Sequence, residues 1–261
     1  ALETLAWAQK NGWMWQIPTN ERLGCGYVFS DYFTTEDEAL DELQKTTGRK
    51  IEPLRTIKFE AGRLKNFWVK NVVSVGLSSG FLEPLQATSI HTTLIQIYYL
   101  TEHFFLDNRE NLLSEKISEA YNKRIRLLYD DFRDLIQIHY MTKRKDTEFW
   151  NYCKNVLPKT EGVKRILEIC KYRSPSLMDY DFYFGLAGWG VMSWTLAGLG
   201  LITKETAQTQ LLNLSPKLEG DLHKSISYLE NNRLLNNVRL MNQKEFWDAL
   251  RAGKINEKQY K

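Results

Sequence analysis

The 261-residue sequence predicts an α+β fold, with a small mixed or antiparallel sheet region first and a mostly helical region after it. Three observations point there. Residues 12–17 and 24–30 read as strands separated by a polar connection. From Thr88 onward, apolar residues recur at helical spacing almost to the end. The two patterns follow one another and do not alternate, as they would in a doubly wound sheet, and no internal repeat or low-complexity tract interrupts them.

Each element follows from local chemistry. Residues 1–13 read as the end of a helix running into the first strand. In residues 12–18, GWMWQIP, the side chains of Trp13, Trp15 and Ile17 share a period of two and project from one strand face. Pro18 cannot donate to a ladder and ends that strand. Thr35 and Glu38 form a capping box, and Glu36, Asp37 and Glu38 suit the positive end of a helix that runs to about Thr46 and stops at Gly48. Residues 55–60 and 67–75 alternate apolar and polar positions around residues 61–63, which predicts a hairpin. Residues 76–80, GLSSG, form a small-residue turn after a strand, and Thr88 and Ser89 stand where a helix starts. Ile90, Leu94, Ile97 and Tyr98 fit one helical face. Ile125, Leu128, Phe132, Leu135, Ile136 and His139 fit another. Ser174, Pro175 and Ser176 break the series, and residues 218–250 read as a long, charged helix. The domain boundary is expected between residues 88 and 89, giving a sheet region 1–88 and a helical region 89–261.

Composition narrows the classes. With 35 basic and 32 acidic residues the net charge is +3, too mild for a nucleic-acid binder. The longest apolar stretch, residues 191–202, is about half a membrane span and suits a buried helix. Residues 1–10 lack the pattern of a signal peptide. Cys25, Cys153 and Cys170 are scattered and read as reduced thiols, so a cytoplasmic protein is expected. His91, His103, His139 and His223 show no ligand spacing and read as ordinary helix residues, with no metal site.

Two places could carry chemistry. The paired indoles of Trp13 and Trp15 make a rigid wall suited to a flat ligand. The other reading is two core tryptophans on a buried strand. The turn at residues 76–80 lets a ligand approach the backbone, and the helix start at Thr88 and Ser89 offers unpaired N–H groups and positive partial charge to an anion. Such a start can equally be no more than a helix cap.

The W-x-W-x-I-P string at residues 13–18 resembles the signature of the flavin-dependent halogenases, typified by the tryptophan halogenases. Residues 24–33, 59–67, 75–88, 130–140 and 197–200 are similar to family segments in the same order, so the likeness covers most of residues 7–200. It implies part of a larger FAD-dependent monooxygenase-like fold, in which residues 89–261 form a substrate-binding region. No G-x-G-x-x-G occurs, and Gly24-Cys25-Gly26 lacks the third glycine and following helix of a dinucleotide turn. The chain therefore reads as the C-terminal half of a longer protein, with the flavin-binding region and the family's essential lysine lying before residue 1. None of Lys10, Lys58, Lys65 or Lys70 takes that lysine's place.

The resemblance implies an activity as well. Reduced FAD, supplied by a separate reductase, O2 and halide yield hypohalous acid, and an aromatic substrate is halogenated by electrophilic substitution. It places the halide at Thr88 and Ser89, the flavin at Leu77, Ser78, Ser79, Gly80 and Ile90, and a partition between flavin and substrate at Trp13, Trp15, Ile17 and Pro18. Gln86 and Ala87 stand where the family has Glu and Ser. Gln86 can orient a substrate by hydrogen bonding but cannot act as a carboxylate base, and Glu83 matches a different family glutamate. Phe182, Tyr183, Trp189 and Trp194 are expected at the substrate, in a segment richer in glycine and poorer in charge than the family's tryptophan-binding one. That implies an indole, a phenol or a larger aromatic rather than free tryptophan. Two alternatives stay open: a monooxygenase-like hydroxylase and a binding homologue without turnover. A homo-oligomer is left open too.

Overall fold

The structure, a computed structural model, describes residues 4–19, 21–105, 114–180 and 188–213, with 217–221, 223, 224, 227, 248, 252 and 253 beyond them. Most of the helix expected over residues 218–250 lies outside the described residues. Contacts divide the chain into two compact units, one formed by Ala1–Arg55, Arg144–Tyr152 and Asn213–Lys261, the other by Thr56–Lys143 and Cys153–Leu212. One of the divisions falls between residues 55 and 56, and the strands that precede Thr88 pack on the helices that follow it.

The first unit is built on a three-stranded antiparallel sheet of β1 (Leu5–Ala8), β2 (Gly12–Pro18) and β3 (Leu23–Phe29), with β2 in the centre. Residues 5–8 are thus a strand, not the helix end that the sequence predicts. Pairing of Leu5 with Gln16 and of Ala8 with Trp13 overrides the helical preference of Leu and Ala. Strand β2 ends at Pro18 as predicted. Met14 is fully buried on this strand. Helix α1 (Glu36–Thr47) has the predicted capping box: the Glu38 N–H donates to Thr35 Oγ1 at 3.3 Å and the Thr35 N–H to Glu38 Oε2 at 2.9 Å. Gly48 closes it in the left-handed conformation. Glu42 ties α1 to the sheet, accepting from the Tyr27 hydroxyl and the Lys10 N–H. The short helix α4 (Glu148–Asn151) brings Trp150, whose Nε1–H donates to the Gln9 carbonyl at 2.7 Å.

The second unit is organised by α3 (Glu115–His139). Its predicted stripe is buried at Ile125, Leu128, Phe132 and Leu135, joined by Tyr121 and Ile138. Around it pack α5 (Glu161–Ile169) through Val163 and Ile166, α6 (Gly188–Gly198) through Met192 and Leu196, and residues Phe67 and Trp68. Buried Asn122 binds that loop, accepting from the Phe67 and Trp68 N–H groups and donating to the Trp68 carbonyl. Residues 55–60 do not pair with 67–75. Instead β5 (Trp68–Val69) folds back on β6 (Val72–Val73), and β4 (Gly62–Arg63) pairs with β7 (Gly80–Phe81). Each segment finds a partner at two-residue range or across the unit, which the alternating pattern alone does not specify. The Arg63 guanidinium grips Asp130 of α3 at 3.0 Å. Helix α2 (Thr88–Tyr98) begins where predicted, and α7 (Lys204–Leu212) closes the described part. Among the described residues no helix is long and apolar enough to cross a membrane.

Candidate functional site

The tryptophan strand is shaped by its neighbour. Trp15 stands opposite Gly26 and Ile17 opposite Gly24. The Trp15 indole lies on Gly26 so closely that a Cβ there would sit 2.6 Å from a ring carbon. The two glycines are the bed for a flat ring. Burial falls along β2: Trp13 is buried, Trp15 half-buried and Ile17 exposed. The Trp13 Nε1–H is buried without a hydrogen-bond partner among the described residues. The strand is therefore core at its start and surface at its end.

In the second unit the turn at residues 76–80 divides inside from outside. Gly76 is left-handed at φ 68° and donates its N–H to Gln96 Oε1 at 3.0 Å. The hydroxyl of Ser79 donates to the Gly76 carbonyl at 2.6 Å and lies 2.8 Å from the Tyr129 hydroxyl, fully buried. Gly80 leaves no room for a Cβ against the backbone of Gly62 and Arg63. Ser79 and Gly80 are thus committed to the fold. Leu77, at 74% exposure, and Ser78 face outward.

The approach to α2 is unusual. Gln86 (φ 58°, ψ 17°) and Ala87 (φ 52°, ψ 34°) are both left-handed, a conformation costing side-chain-bearing residues about 1–3 kcal/mol each. Ala87 occupies the N-cap, so no side chain caps the helix. The buried Thr88 hydroxyl donates to the Glu83 carbonyl at 3.4 Å, and the Ser89 carbonyl accepts from the hydroxyls of Thr92 and Thr93. None of these side-chain contacts uses a first-turn N–H group, but the Thr88 N–H itself donates to the Leu85 carbonyl. A left-handed residue followed by right-handed ones at a positive helix end makes a backbone cradle for an anion. Ile90, at 65% exposure, borders it.

Glu83 is held by the Tyr140 hydroxyl at 2.8 Å. Gln86 reaches His139 at the end of α3, with Gln86 Nε2 lying 3.4 Å from His139 Nε2. His139 Nδ1 lies 2.8 Å from the Leu135 carbonyl, and burial pushes its pKa below the ordinary histidine value. The sequence treats His139 as an ordinary helix residue. Nothing local singles it out, because its partner is 53 residues away. Cys153, a buried thiol, has its pKa pushed up to about 11 by desolvation. Among the described residues no cluster of His, Cys, Asp or Glu could hold a metal ion.

At the substrate end, Phe182 and Tyr183 lie outside the described residues, as does the side chain of Trp189. Trp194 is on α6 with 77% of its surface exposed. Together, the second unit gathers Gln86, Thr88, Ser89 and Ile90 at one helix start, with the turn bearing Leu77 and Ser78 packed against α2.

Comparison with known proteins gives this arrangement its class. The family model for tryptophan halogenase matches residues 2–213. A tryptophan 7-halogenase of Lentzea aerocolonigenes is 36% identical over 214 residues, covering 76% of this chain and 39% of that protein. The crystal structure of a tryptophan 6-halogenase from Streptomyces toxytricini superposes with a TM-score of 0.78 at 26% identity, over 94% of this chain and 47% of that one. A flavin-dependent halogenase from Brevundimonas sp. BAL3 gives a TM-score of 0.73 at 30% identity, over 95% of this chain and 48% of the other. The chain belongs to the tryptophan halogenase family. It spans about two fifths of the length of the curated relative it matches.

Proposed function

We propose that this chain supplies the halide cradle and part of the substrate pocket of a flavin-dependent halogenase acting on an indole- or phenol-like aromatic rather than free tryptophan. The observation that carries the reading is the start of α2. A side-chain cap is missing there, two strained residues lead in, and the matched family is one of halogenases.

The residues present fit the cofactor on one count. Leu77 and Ile90 expose apolar surface suited to a flat ring system, while Ser79 and Gly80 serve the fold. Reduced FAD with O2 supplies the oxidising equivalents that turn halide into an electrophile. The chain's own contribution is binding and exclusion. The positive start of α2 at Thr88 and Ser89 holds the halide, with the Thr88 N–H shared with the Leu85 carbonyl. The partition that the resemblance implies at Trp13, Trp15, Ile17 and Pro18 falls to the accessible Trp15, Ile17 and Pro18, since Trp13 is buried. The resemblance assigns Phe182, Tyr183, Trp189 and Trp194 to the aromatic substrate, and Gln86 positions it by hydrogen bonding. A neutral amide takes up no proton at Gln86, so the ring proton leaves to solvent or another group. A separate flavin reductase and a cytoplasmic setting complete the proposal.

The test combines the chain with the flavin-binding portion expected from the resemblance, a flavin reductase, O2, and chloride or bromide. Halide-dependent appearance of a halogenated indole or phenol by mass spectrometry supports the reading. An oxygenated product without halide replaces it with hydroxylation, and no turnover replaces it with a binding role. Under the halogenase reading, Gln86→Glu restores a carboxylate and raises kcat roughly 10-fold or more. An unchanged kcat shows that residue 86 is not the proton-handling position.

A further inference from the structure

We propose that His139 locks the Gln86 amide in one orientation, oxygen outward, so that the site selects aromatic substrates carrying an N–H or O–H donor. The inference rests on the halogenase reading for the presence of an aromatic substrate, and deepens it by naming what that substrate must offer.

The orientation follows from what each atom can do. A backbone carbonyl only accepts, so the 2.8 Å contact from His139 Nδ1 to the Leu135 oxygen requires a proton on Nδ1. Burial disfavours the charged ring, so the imidazole is neutral at neutral pH and its Nε2 is a lone pair. A lone pair at Nε2 accepts only from the amide nitrogen of Gln86, the atom that lies 3.4 Å away. With its nitrogen engaged by His139, exposed Gln86 turns its oxygen to the other side, and no described residue donates a hydrogen bond to that oxygen.

The backbone reinforces the orientation. Left-handed geometry at Gln86 and Ala87, between buried Leu85 and the first turn of α2, fixes where the side chain begins. Residue 86 thus presents a neutral, fixed acceptor. Gln86 is exposed, so an indole N–H or a phenol O–H replaces the water on that oxygen, whereas an N-alkylated ring that covers it leaves it unpaired. Sites built to hydrogen-bond a substrate discriminate strongly against analogues lacking the group. His139 is a positioning residue here, acting on substrate through Gln86.

The test uses the full chain and two uncharged probes of similar shape, indole and 1-methylindole, the second lacking the donor. Calorimetric titration is expected to give about tenfold tighter binding of indole. His139→Phe is expected to bring the ratio close to one, and His139→Gln, which keeps an acceptor near the Nε2 position, to restore part of it. A purely structural role for His139 weakens both probes equally and leaves the ratio unchanged, which would overturn the proposal. Independently, long-range 15N–1H NMR of labelled histidine, assigned with the His139→Gln variant, is expected to show a protonated Nδ1 and a bare Nε2. A proton on Nε2 at neutral pH also overturns it. Equal binding of both probes to the unaltered chain sinks this inference and leaves the halogenase reading standing. Binding of neither probe counts against the aromatic-substrate reading, and the ring-nitrogen measurement then decides the His139 assignment alone.

Discussion

Helices α2 and α3 both carry an apolar stripe at helical spacing, yet they are turned in opposite senses. Helix α3 buries Ile125, Leu128, Phe132 and Leu135, with Asp131 and Asp134 buried beside them, and leaves Lys123 and Arg133 exposed. Helix α2 exposes Ile90, Leu94, Ile97 and Tyr98, with Leu94 at 61% exposure, and turns Thr88, Thr92 and Gln96 inward. What holds α3 is apolar area removed from water. What holds α2 is a polar network, in which Gln96 accepts from the Gly76 N–H and exchanges hydrogen bonds with Ser79. An amphipathic pattern therefore states that a helix has two faces, and leaves open which one its own unit covers.

Three substitutions break or sharpen this contrast. Leu128→Ala, at a site with no exposed surface, is expected to cost about 2–5 kcal/mol in denaturant unfolding, from lost transfer energy and a residual cavity. Next comes Gln96→Ala, which strands the Gly76 N–H and removes a Ser79 partner. Its expected cost is about 1–3 kcal/mol, and a neutral result would mean that α2 is held by apolar contact after all. Smallest is Leu94→Ser, expected to change stability by less than about 0.5 kcal/mol. A cost resembling that of Leu128→Ala would show that the α2 face is covered in solution and would remove the contrast.

The same distinction explains how much was legible in the sequence. The limits of α1 were readable because Thr35, Glu38 and Gly48 act within one turn of the chain. The start of α2 at Thr88 was readable because a Pro-bearing segment and the onset of helical spacing meet there. Strand β1 was not, since residues 5–8 extend only because β2 lies beside them. The hairpin expected around residues 61–63 failed for a related reason: short alternating runs fit several registers, and Arg63 chose Gly80. For the site, the correspondence of Thr88, Ser89 and Gln86 came from motif order, while the contact from Gln86 to His139 exists only after α3 has packed. The glycines at 24 and 26 carried a signal in plain view. A G-x-G facing Ile17 and Trp15 across two antiparallel strands leaves space where the Trp15 ring needs it.

The left-handed pair Gln86–Ala87 has a consequence for engineering. Among the described residues, side-chain-bearing positions with positive φ are Lys70 and these two, so two of the three stressed positions adjoin the helix start proposed for the halide. A search for heat resistance will be drawn to that spot, because glycine or asparagine relieves the strain at little cost. The same relief lets the segment wander, and the cradle and the amide beside it lose their fixed aim. Stability gained at residues 86 and 87 comes out of the precision of the site, so a hardened variant should keep both side chains and gather its increments elsewhere.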